Sequence, residues 1–315
     1  MTPGPPAGPS PAAGPGAPRA PATAPFGERL SAAVATRGAL VVGIDPHLPL
    51  LRDWGLPEGV AGLERFALTV VEALADRVAV LKPQSAFFER FGSRGVAVLE
   101  RVLAGIRAAG ALAVLDVKRG DIGSTMAGYA GAYTDPASPL AADALTASPY
   151  LGFGSLRPLL GSAYAYGAGV FVLALTSNPE GGSVQRATGP DGRTVAQRVL
   201  DDVAEANAAE LAVTGGPLGS VGAVVGATLH GHGHRLDHLR GPILAPGLGA
   251  QGASAADLPA VFGAALPDVL PAASREVLGN GPDLGRLRAA AARLAAEVHT
   301  IRSQPVSGSG GSGTD

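Results

Sequence analysis

The stretch ALAVLDVKRGDIGST, residues 111–125, combines two features that recur along this chain of 315 residues. Its first half is a continuous run of Ala, Val and Leu without alternation of polar and apolar residues. Such runs are typical of parallel strands that are buried on both faces. The run ends on the charged residues Asp116, Lys118 and Asp121. The stretch therefore predicts a buried strand with a polar site at its carboxyl end.

Seven other segments have the same apolar character. They are ALVVGID (39–45), RVAVLK (77–82), DALTASPY (143–150), GVFVLALT (169–176), GAVVGAT (222–228), PILAPGLG (242–249) and DVLPAASR (268–275). The segments between them resemble amphipathic helices, as in 62–76 and again near the end in LGRLRAAAARLAAEVHTI. Eight strand and helix pairs predict an α/β fold, a closed (β/α)8 TIM barrel over residues 26–303. An open doubly wound sheet is the rival, but GIDPHLPL after the first run lacks the GxGxxG fingerprint.

Both ends of the chain differ in composition from this region. Residues 1–25 are rich in Pro, Ala and Gly, and residues 304–315 are mostly Gly and Ser, so both are predicted to be disordered tails. The net charge of -2 argues against a nucleic-acid partner, and the absence of cysteine excludes disulfides and thiolate catalysis. No signal peptide or membrane-spanning run is evident, so we expect a cytoplasmic protein without a membrane partner.

The carboxyl ends of the predicted strands carry an unusual number of polar residues. They are Asp45, Lys82, Asp116, Lys118, Ser177, Gln251 and Arg275. Strand residues two apart point the same way, so Asp116 and Lys118 are expected to meet. Simpler explanations exist for single residues: a solvated ion pair for Asp116 and Lys118, and plain turns before proline for Ser177 and Asp45.

The seventh and eighth strands end in a pattern suited to a phosphate group. Gly247, Gly249 and Gly252 allow backbone N–H groups to approach an anion, Gln251 can bridge phosphate and base, and Arg275 offers a two-pronged donor. Loops after these strands are the usual phosphate site of this barrel. A glycine-rich turn with an exposed arginine is the alternative.

Four motifs together resemble the orotidine 5'-phosphate decarboxylase family. They are LKPQ (81–84), DVKRGDI (116–122), PGLGAQG (246–252) and the Ser-Arg pair at 274–275. The resemblance extends from about residue 26 to 300, and KPQSAFFE with KRGDIGST is similar to the actinobacterial branch. It implies cofactor-free, metal-free decarboxylation of orotidine monophosphate to uridine monophosphate in de novo pyrimidine synthesis.

The resemblance also implies roles for individual residues. Lys82, Asp116, Lys118 and Asp121 match the family's charged catalytic tetrad. Lys118 is expected to stabilise and protonate the carbanion at pyrimidine C6, and Asp116 to lie beside the departing carboxylate. Lys82 and Asp45 match the contacts to the ribose hydroxyls, and Ser177 the contact to the pyrimidine. Asp121 and Thr125 match positions that reach into a neighbouring subunit, which implies a homodimer with shared active sites.

Two other functions remain open at this point. The D-x-K-x-x-D pattern also occurs in magnesium-dependent keto-sugar-phosphate decarboxylases and synthases, which resemble this chain less at Lys82, where they carry a carboxylate. The chain could also be a silent barrel that binds a phosphorylated ligand.

Three features depart from the family's pattern. Ser274 stands where many members have glycine. The segment 181–194 is either a loop that closes over the base or a surface insertion. The histidines of LHGHGHRLDH, from His230 to His238, are expected to be solvated rather than metal ligands.

Overall fold

A closed barrel of eight parallel strands forms the centre of the computed structural model, which describes residues 24–249 and 252–304. The strands are β1 (Val41–Ile44), β2 (Val80–Pro83), β3 (Leu112–Arg119), β4 (Ala144–Ala147), β5 (Gly169–Leu175), β6 (Val221–Val225), β7 (Ile243–Pro246) and β8 (Val269–Ala273). Each strand pairs with the next in sequence, and β8 closes the ring on β1. Every predicted run overlaps one strand, so the predicted barrel is confirmed.

Helices surround the barrel. The helices are α1 (Phe26–Arg37), α2 (Leu48–Asp53), α3 (Val60–Leu74), α4 (Ala86–Glu89), α5 (Gly92–Ala108), α6 (Gly123–Thr134), α7 (Arg157–Tyr166), α8 (Gly182–Gln185), α9 (Val195–Thr214), α10 (Leu258–Phe262), α11 (Arg275–Leu278) and α12 (Leu284–Arg302). The stripe predicted for 62–76 is buried in α3 through Leu63, Phe66, Val70 and Leu74. These side chains pack against the barrel because a strand buried on both faces needs apolar cover.

The connection between β6 and β7 corrects the prediction that a helix follows every strand. Residues 226–242 form turns and contain no helix. Gly231 and Gly233 in this segment adopt positive φ values of 61° and 72°. Glycine readily adopts this left-handed conformation, which a helix cannot accommodate. The HGHGH sequence therefore interrupts the repeating strand and helix pattern.

Helix α1 precedes the first strand and packs on the barrel. Phe26 is fully buried with its ring edge-on to Phe171, 5.9 Å between centroids. The space exists because residue 169 is glycine: a Cβ there would come within 2.2 Å of the Phe26 ring. Arg29 fastens the same helix through an ion pair with Asp143.

Most of both predicted tails lies outside the described residues, since the structure describes residues from 24 to 304 only, apart from 250 and 251. Among the described helices, none combines the length and apolar character that a bilayer crossing requires.

Phe26→Ala should lower the free energy of unfolding by about 3–5 kcal/mol, because it leaves a cavity between α1 and the barrel. Val213→Ala is the control: its side chain is 87% exposed, so a change within about 0.5 kcal/mol is expected. Urea unfolding followed by circular dichroism measures both. Equal effects of the two substitutions would show that α1 does not stabilise the barrel.

Candidate active site

A cavity of about 480 Å³ opens at the carboxyl ends of the strands. This volume lies within the range of sites for small molecules. The side of the cavity formed by β1 to β3 is polar, with Asp45, Lys82, Asp116 and Lys118. The opposite side is largely apolar and includes Leu173, Leu175, Val224, Leu244, Pro246 and Leu248. The cavity therefore presents charges on one side to a ligand whose other side rests on apolar groups.

Asp116 is the centre of the polar side. One carboxylate oxygen, Oδ2, accepts a hydrogen bond from Lys82 Nζ at 3.2 Å, and the other, Oδ1, accepts one from Lys118 Nζ at 2.6 Å. Oδ1 also accepts a hydrogen bond from the Thr146 hydroxyl at 2.8 Å. The side chains of Lys82 and Asp116 are 7% and 10% exposed, whereas that of Lys118 is 45% exposed. Lys118 is thus the ammonium most accessible to a ligand.

The charges of this group stabilise one another. Burial opposes the charged form of Lys82, but the nearby carboxylates of Asp45 and Asp116 outweigh it and raise the pKa of Lys82. Burial likewise disfavours the Asp116 carboxylate, yet Lys82 and Lys118, with hydrogen bonds from Lys118 and Thr146, lower the pKa of Asp116 to about 2. Asp116 is therefore ionised at neutral pH, as an anion between two cations.

The backbone at Lys118 differs from the regular strand on which the predicted contact was based. Lys118 has a φ of 47°, and the register between β3 and β4 shifts between Leu115 and Arg119. A residue other than glycine in this left-handed region carries a strain of about 1–3 kcal/mol. Asp116 and Lys118 do meet, as predicted, but an irregular backbone brings them together rather than the two-residue period of a strand.

Asp45 directly follows β1 and Ser274 directly follows β8, and the two side chains are in contact. The Ser274 hydroxyl donates a hydrogen bond to Asp45 Oδ2, while Oδ1 is buried and has no hydrogen-bond partner among the described residues. The approach requires glycine at position 43, where a Cβ would lie 2.0 Å from Ser274 Oγ. Ser274, which stands where many family members have glycine, thus orients the Asp45 side chain that lines the cavity.

The predicted phosphate residues are only partly gathered at the cavity. Gly247 and Arg275 line it. Gly249 and Gly252 do not, and their N–H groups donate within the loop, to the carbonyl oxygens of Ala253 and Gly249. Gln251 lies outside the described residues.

Asp121 and Thr125 are separated from the cavity of their own chain. Asp121 is half-buried, and its Oδ1 accepts a hydrogen bond from the N–H of Ile122 at 2.8 Å. Thr125 is exposed on α6. Neither residue lines the cavity, whereas Ser177 does.

Several lining residues were not selected from the sequence. They are His47, Gln84, Thr146, Thr176 and Asn178. His47, Gln84, Thr176 and Asn178 lie within two residues of Asp45, Lys82 or Ser177, in the segments GIDPH, LKPQ and TSNP. Their position at the ends of predicted strands could therefore have identified them as lining residues. Thr146 lies within an apolar run and gave no such signal.

Segment 181–194 lies outside the cavity lining. Its helix α8 is fixed to the end of β5, where Gln185 bonds to both the N–H and the hydroxyl of Thr176, at 2.9 and 2.7 Å.

The expectation of a solvated histidine tract is wrong for three of its four members. His232 bonds to the carbonyl oxygen of Val261 at 3.0 Å, His234 to the Thr194 hydroxyl at 2.8 Å, and His238 to Asp201 at 2.9 Å. All three are half-buried, because the turns of residues 226–242 fold back onto α9 and α10. His230 alone is exposed. Within the described residues no group of three or more histidines and carboxylates is arranged to hold a metal ion.

Comparisons with known proteins give one consistent result. The family model described as "Orotidine 5'-phosphate decarboxylase / HUMPS family" matches residues 38–290. A protein of Salinispora arenicola named orotidine 5'-phosphate decarboxylase is 66% identical over 272 residues, which cover 86% of this chain and 96% of that protein. A relative of the same name from Streptomyces coelicolor is 62% identical, with 88% and 98% covered. A crystal structure titled as a putative orotidine 5'-phosphate decarboxylase from Streptomyces avermitilis superposes with a TM-score of 0.86 at 62% identity, covering 90% of this chain and 98% of that one.

Asp116→Asn should reduce the loss of stability in acid. The pKa of Asp116 falls from an ordinary 3.8 to about 2 on folding. A lowered carboxyl pKa contributes stability that is complete above about pH 4 and is lost as the pH falls toward 2. Between pH 7 and pH 3 the wild-type chain should therefore lose about 1 kcal/mol more unfolding free energy than the variant. Urea titrations at the two pH values measure the difference.

The exposed Asp53 provides the control for this experiment. Asp53→Asn should retain the wild-type difference between pH 7 and pH 3. If Asp116→Asn also retains it, the two lysines do not stabilise the Asp116 carboxylate as described.

Proposed function

The chain belongs to the orotidine 5'-phosphate decarboxylase / HUMPS family, and we propose that it converts orotidine 5'-phosphate to uridine 5'-phosphate and carbon dioxide. Two observations together support the proposal. The chain is 66% identical to a protein named orotidine 5'-phosphate decarboxylase, and Lys82, Asp116 and Lys118 form one hydrogen-bonded group in the cavity. In reaction class the chain would be a carbon–carbon lyase of pyrimidine biosynthesis.

Lys118 is the proposed acid. When the bond between C6 and the carboxylate breaks, carbon dioxide leaves and the electron pair stays on C6. The Lys118 ammonium lies next to this charge, gives its proton to C6 and is reprotonated from solvent. Asp116 supports this role through the hydrogen bond of 2.6 Å that fixes the position of the Lys118 ammonium. The Asp116 carboxylate is proposed to repel the carboxylate that departs.

Electrostatic stabilisation by one lysine is insufficient on its own. A unit charge about 4 Å from the carbanion contributes about 4 kcal/mol at an effective dielectric constant near 20. Enzymatic accelerations typically need about 8–23 kcal/mol. The remainder is assigned to binding of the phosphate and ribose, which holds the reacting carbon against the charged group. No step in this scheme needs an electron-accepting cofactor.

The lining residues suggest how the substrate is oriented. Asp45 and Lys82 line the cavity, where the carboxylate can accept a hydrogen bond from a ribose hydroxyl and the ammonium can donate one. Ser177, across the cavity, is proposed to contact the pyrimidine. Gly247 and Arg275 would hold the phosphate, with Gln251 as a further predicted contact. Gly249 and Gly252, whose N–H groups donate within the loop, would shape the turn that carries Gln251.

The magnesium-dependent alternative is not favoured. In that mechanism the position of Lys82 is held by a carboxylate that helps to bind the ion. Here the ammonium of Lys82 donates to Asp116 and is itself a cation, which repels a metal ion rather than coordinating it.

We further propose a two-fold homodimer in which each active site receives Asp121 and Thr125 from the partner subunit. Neither residue lines the cavity of its own chain. Ile122, next to Asp121 in sequence, is 61% exposed, and in the loop after β4 Tyr150 is 80% and Leu151 53% exposed. Apolar groups exposed this far are typical of surfaces that another molecule covers.

The dimer is proposed to work in the cytoplasm, because its substrate and product are phosphorylated nucleotides, whose charge prevents passage through a bilayer.

The assay of this function is the fall in absorbance as orotidine 5'-phosphate becomes uridine 5'-phosphate, with and without EDTA. The wild-type chain should turn over equally in both, and Lys118→Ala should lose at least 10³-fold in kcat while still binding uridine 5'-phosphate, because the ammonium acts mainly in the transition state. Loss of activity in EDTA would instead favour the metal-dependent alternative. Activity of Lys118→Ala within tenfold of wild type would remove Lys118 from the reaction.

A hybrid of two inactive variants tests the shared site. Lys118→Ala and Asp121→Asn homodimers should each be nearly inactive. After the two are unfolded and refolded together in equal amounts, about half of the dimers are hybrids by random pairing. In each hybrid one site carries both substitutions and the other carries neither, so about a quarter of wild-type activity should return. Distinguishable affinity tags on the two chains verify that hybrids form. No recovery in verified hybrids would assign Asp121 to the site of its own chain.

A further inference from the structure

The buried hydroxyl group of Thr146 links Asp116 and Lys118. Thr146, in β4, is 1% exposed, yet its Oγ1 reaches across to β3. The hydroxyl donates to Asp116 Oδ1 at 2.8 Å and accepts a hydrogen bond from the backbone N–H of Lys118 at 2.9 Å. A hydroxyl is suited to this place because it donates and accepts at the same time.

The two contacts are made where the backbone departs from regular pairing. At the register shift, Leu115 still pairs with Leu145 and Arg119 pairs with Ala147, so the three residues 116–118 lie opposite Thr146 alone. A regular ladder would satisfy the N–H of Lys118 with a backbone carbonyl. Here the side chain of Thr146 takes over that function, at the one residue in β3 that has a positive φ.

We propose that Thr146 is a positioning residue, which holds the left-handed backbone of Lys118 and the carboxylate of Asp116 in the arrangement that places the Lys118 ammonium for protonation. This inference rests on the proposed decarboxylase function and deepens it. Thr146 does not touch the reacting atoms in this scheme; it acts through its two partners. The residue is a threonine within the run DALTASPY, whose other central residues are apolar and buried.

Loss of the hydroxyl has two separate consequences. The N–H of Lys118 loses its acceptor, so the strained conformation no longer has the contact that compensates it. Oδ1 of Asp116 loses one of its two donors, so the carboxylate can rotate together with the Lys118 side chain that is bonded to it. A displacement of about 1 Å at a reacting group can reduce the rate about 10²-fold. The proposed phosphate contacts, Gly247 and Arg275, involve neither of these two hydrogen bonds.

The test compares Thr146→Val with Thr146→Ser in the full-length chain. Valine keeps the shape and removes the hydroxyl, whereas serine keeps the hydroxyl. Thr146→Val should lower kcat for orotidine 5'-phosphate about 10²-fold, with KM and the affinity for uridine 5'-phosphate within threefold of wild type. Thr146→Ser should restore kcat to within about fivefold of wild type, since it retains both hydrogen bonds.

Thr134 offers a matched control. It is a buried threonine whose hydroxyl also makes two hydrogen bonds, to the carbonyl oxygen of Ala130 at 2.8 Å and to Ser162 Oγ at 2.7 Å. Thr134→Val should lower the melting temperature and leave kcat within threefold. If Thr146→Val does not fold, Thr146→Ala takes its place with the same expected loss in kcat.

Three results would overturn the inference: a kcat for the variant without the hydroxyl within threefold of wild type, a serine variant as impaired as the valine variant, or a rise in KM with kcat unchanged. Failure of the proposed function is a separate result, because the wild-type chain would then release no carbon dioxide from orotidine 5'-phosphate in the same assay.

Discussion

The ionised carboxylate of Asp116, held between two ammonium groups, is the interaction on which the active site depends. A buried anion is stable only when cations and hydrogen-bond donors compensate for its lost hydration. Lys82, Lys118 and Thr146 supply that compensation from three neighbouring strands. Despite burial, the carboxylates of Asp45 and Asp116 raise the pKa of Lys82, and Asp116 also holds the Lys118 ammonium, the group that the proposed reaction needs, at 2.6 Å.

The barrel makes this arrangement possible because it closes. Asp45 follows β1, and Ser274, which bonds to it, follows β8, although 229 positions separate them in sequence. A closed ring of parallel strands brings all carboxyl ends to one rim, and this rim collects side chains from distant parts of the chain. Apolar residues of β5 to β7, among them Leu173, Leu175 and Val224, contribute the opposite side of the cavity.

Local strain and rigidity occur together at the site. Lys118 has the positive φ, while its neighbour Arg119 is held by Glu89 and by the hydroxyl of Tyr133. Gly120 allows the chain to pass close to the carbonyl oxygen of Ser148, where a Cβ would lie at 2.4 Å. A strained residue persists only where its surroundings hold it, and these contacts hold the two residues that follow Lys118. The site is therefore built on constrained backbone rather than on a mobile loop.

The barrel and most of the polar residues at its rim could be predicted from sequence patterns. Eight apolar runs each became one strand, because burial on both faces leaves a signal in every residue of a run. Lys82, Asp116, Lys118, Ser177 and Arg275 could be predicted at the cavity, since residues at strand ends follow directly from strand positions. Other features of the site depend on contacts between strands and helices that no sequence pattern indicates. The bulge at Lys118 and the role of Thr146 depend on pairing between β3 and β4, and the histidines became hydrogen-bonded because α9 and α10 lie beside them. Such contacts join residues far apart in the chain, and no local pattern encodes which partner a polar side chain will meet.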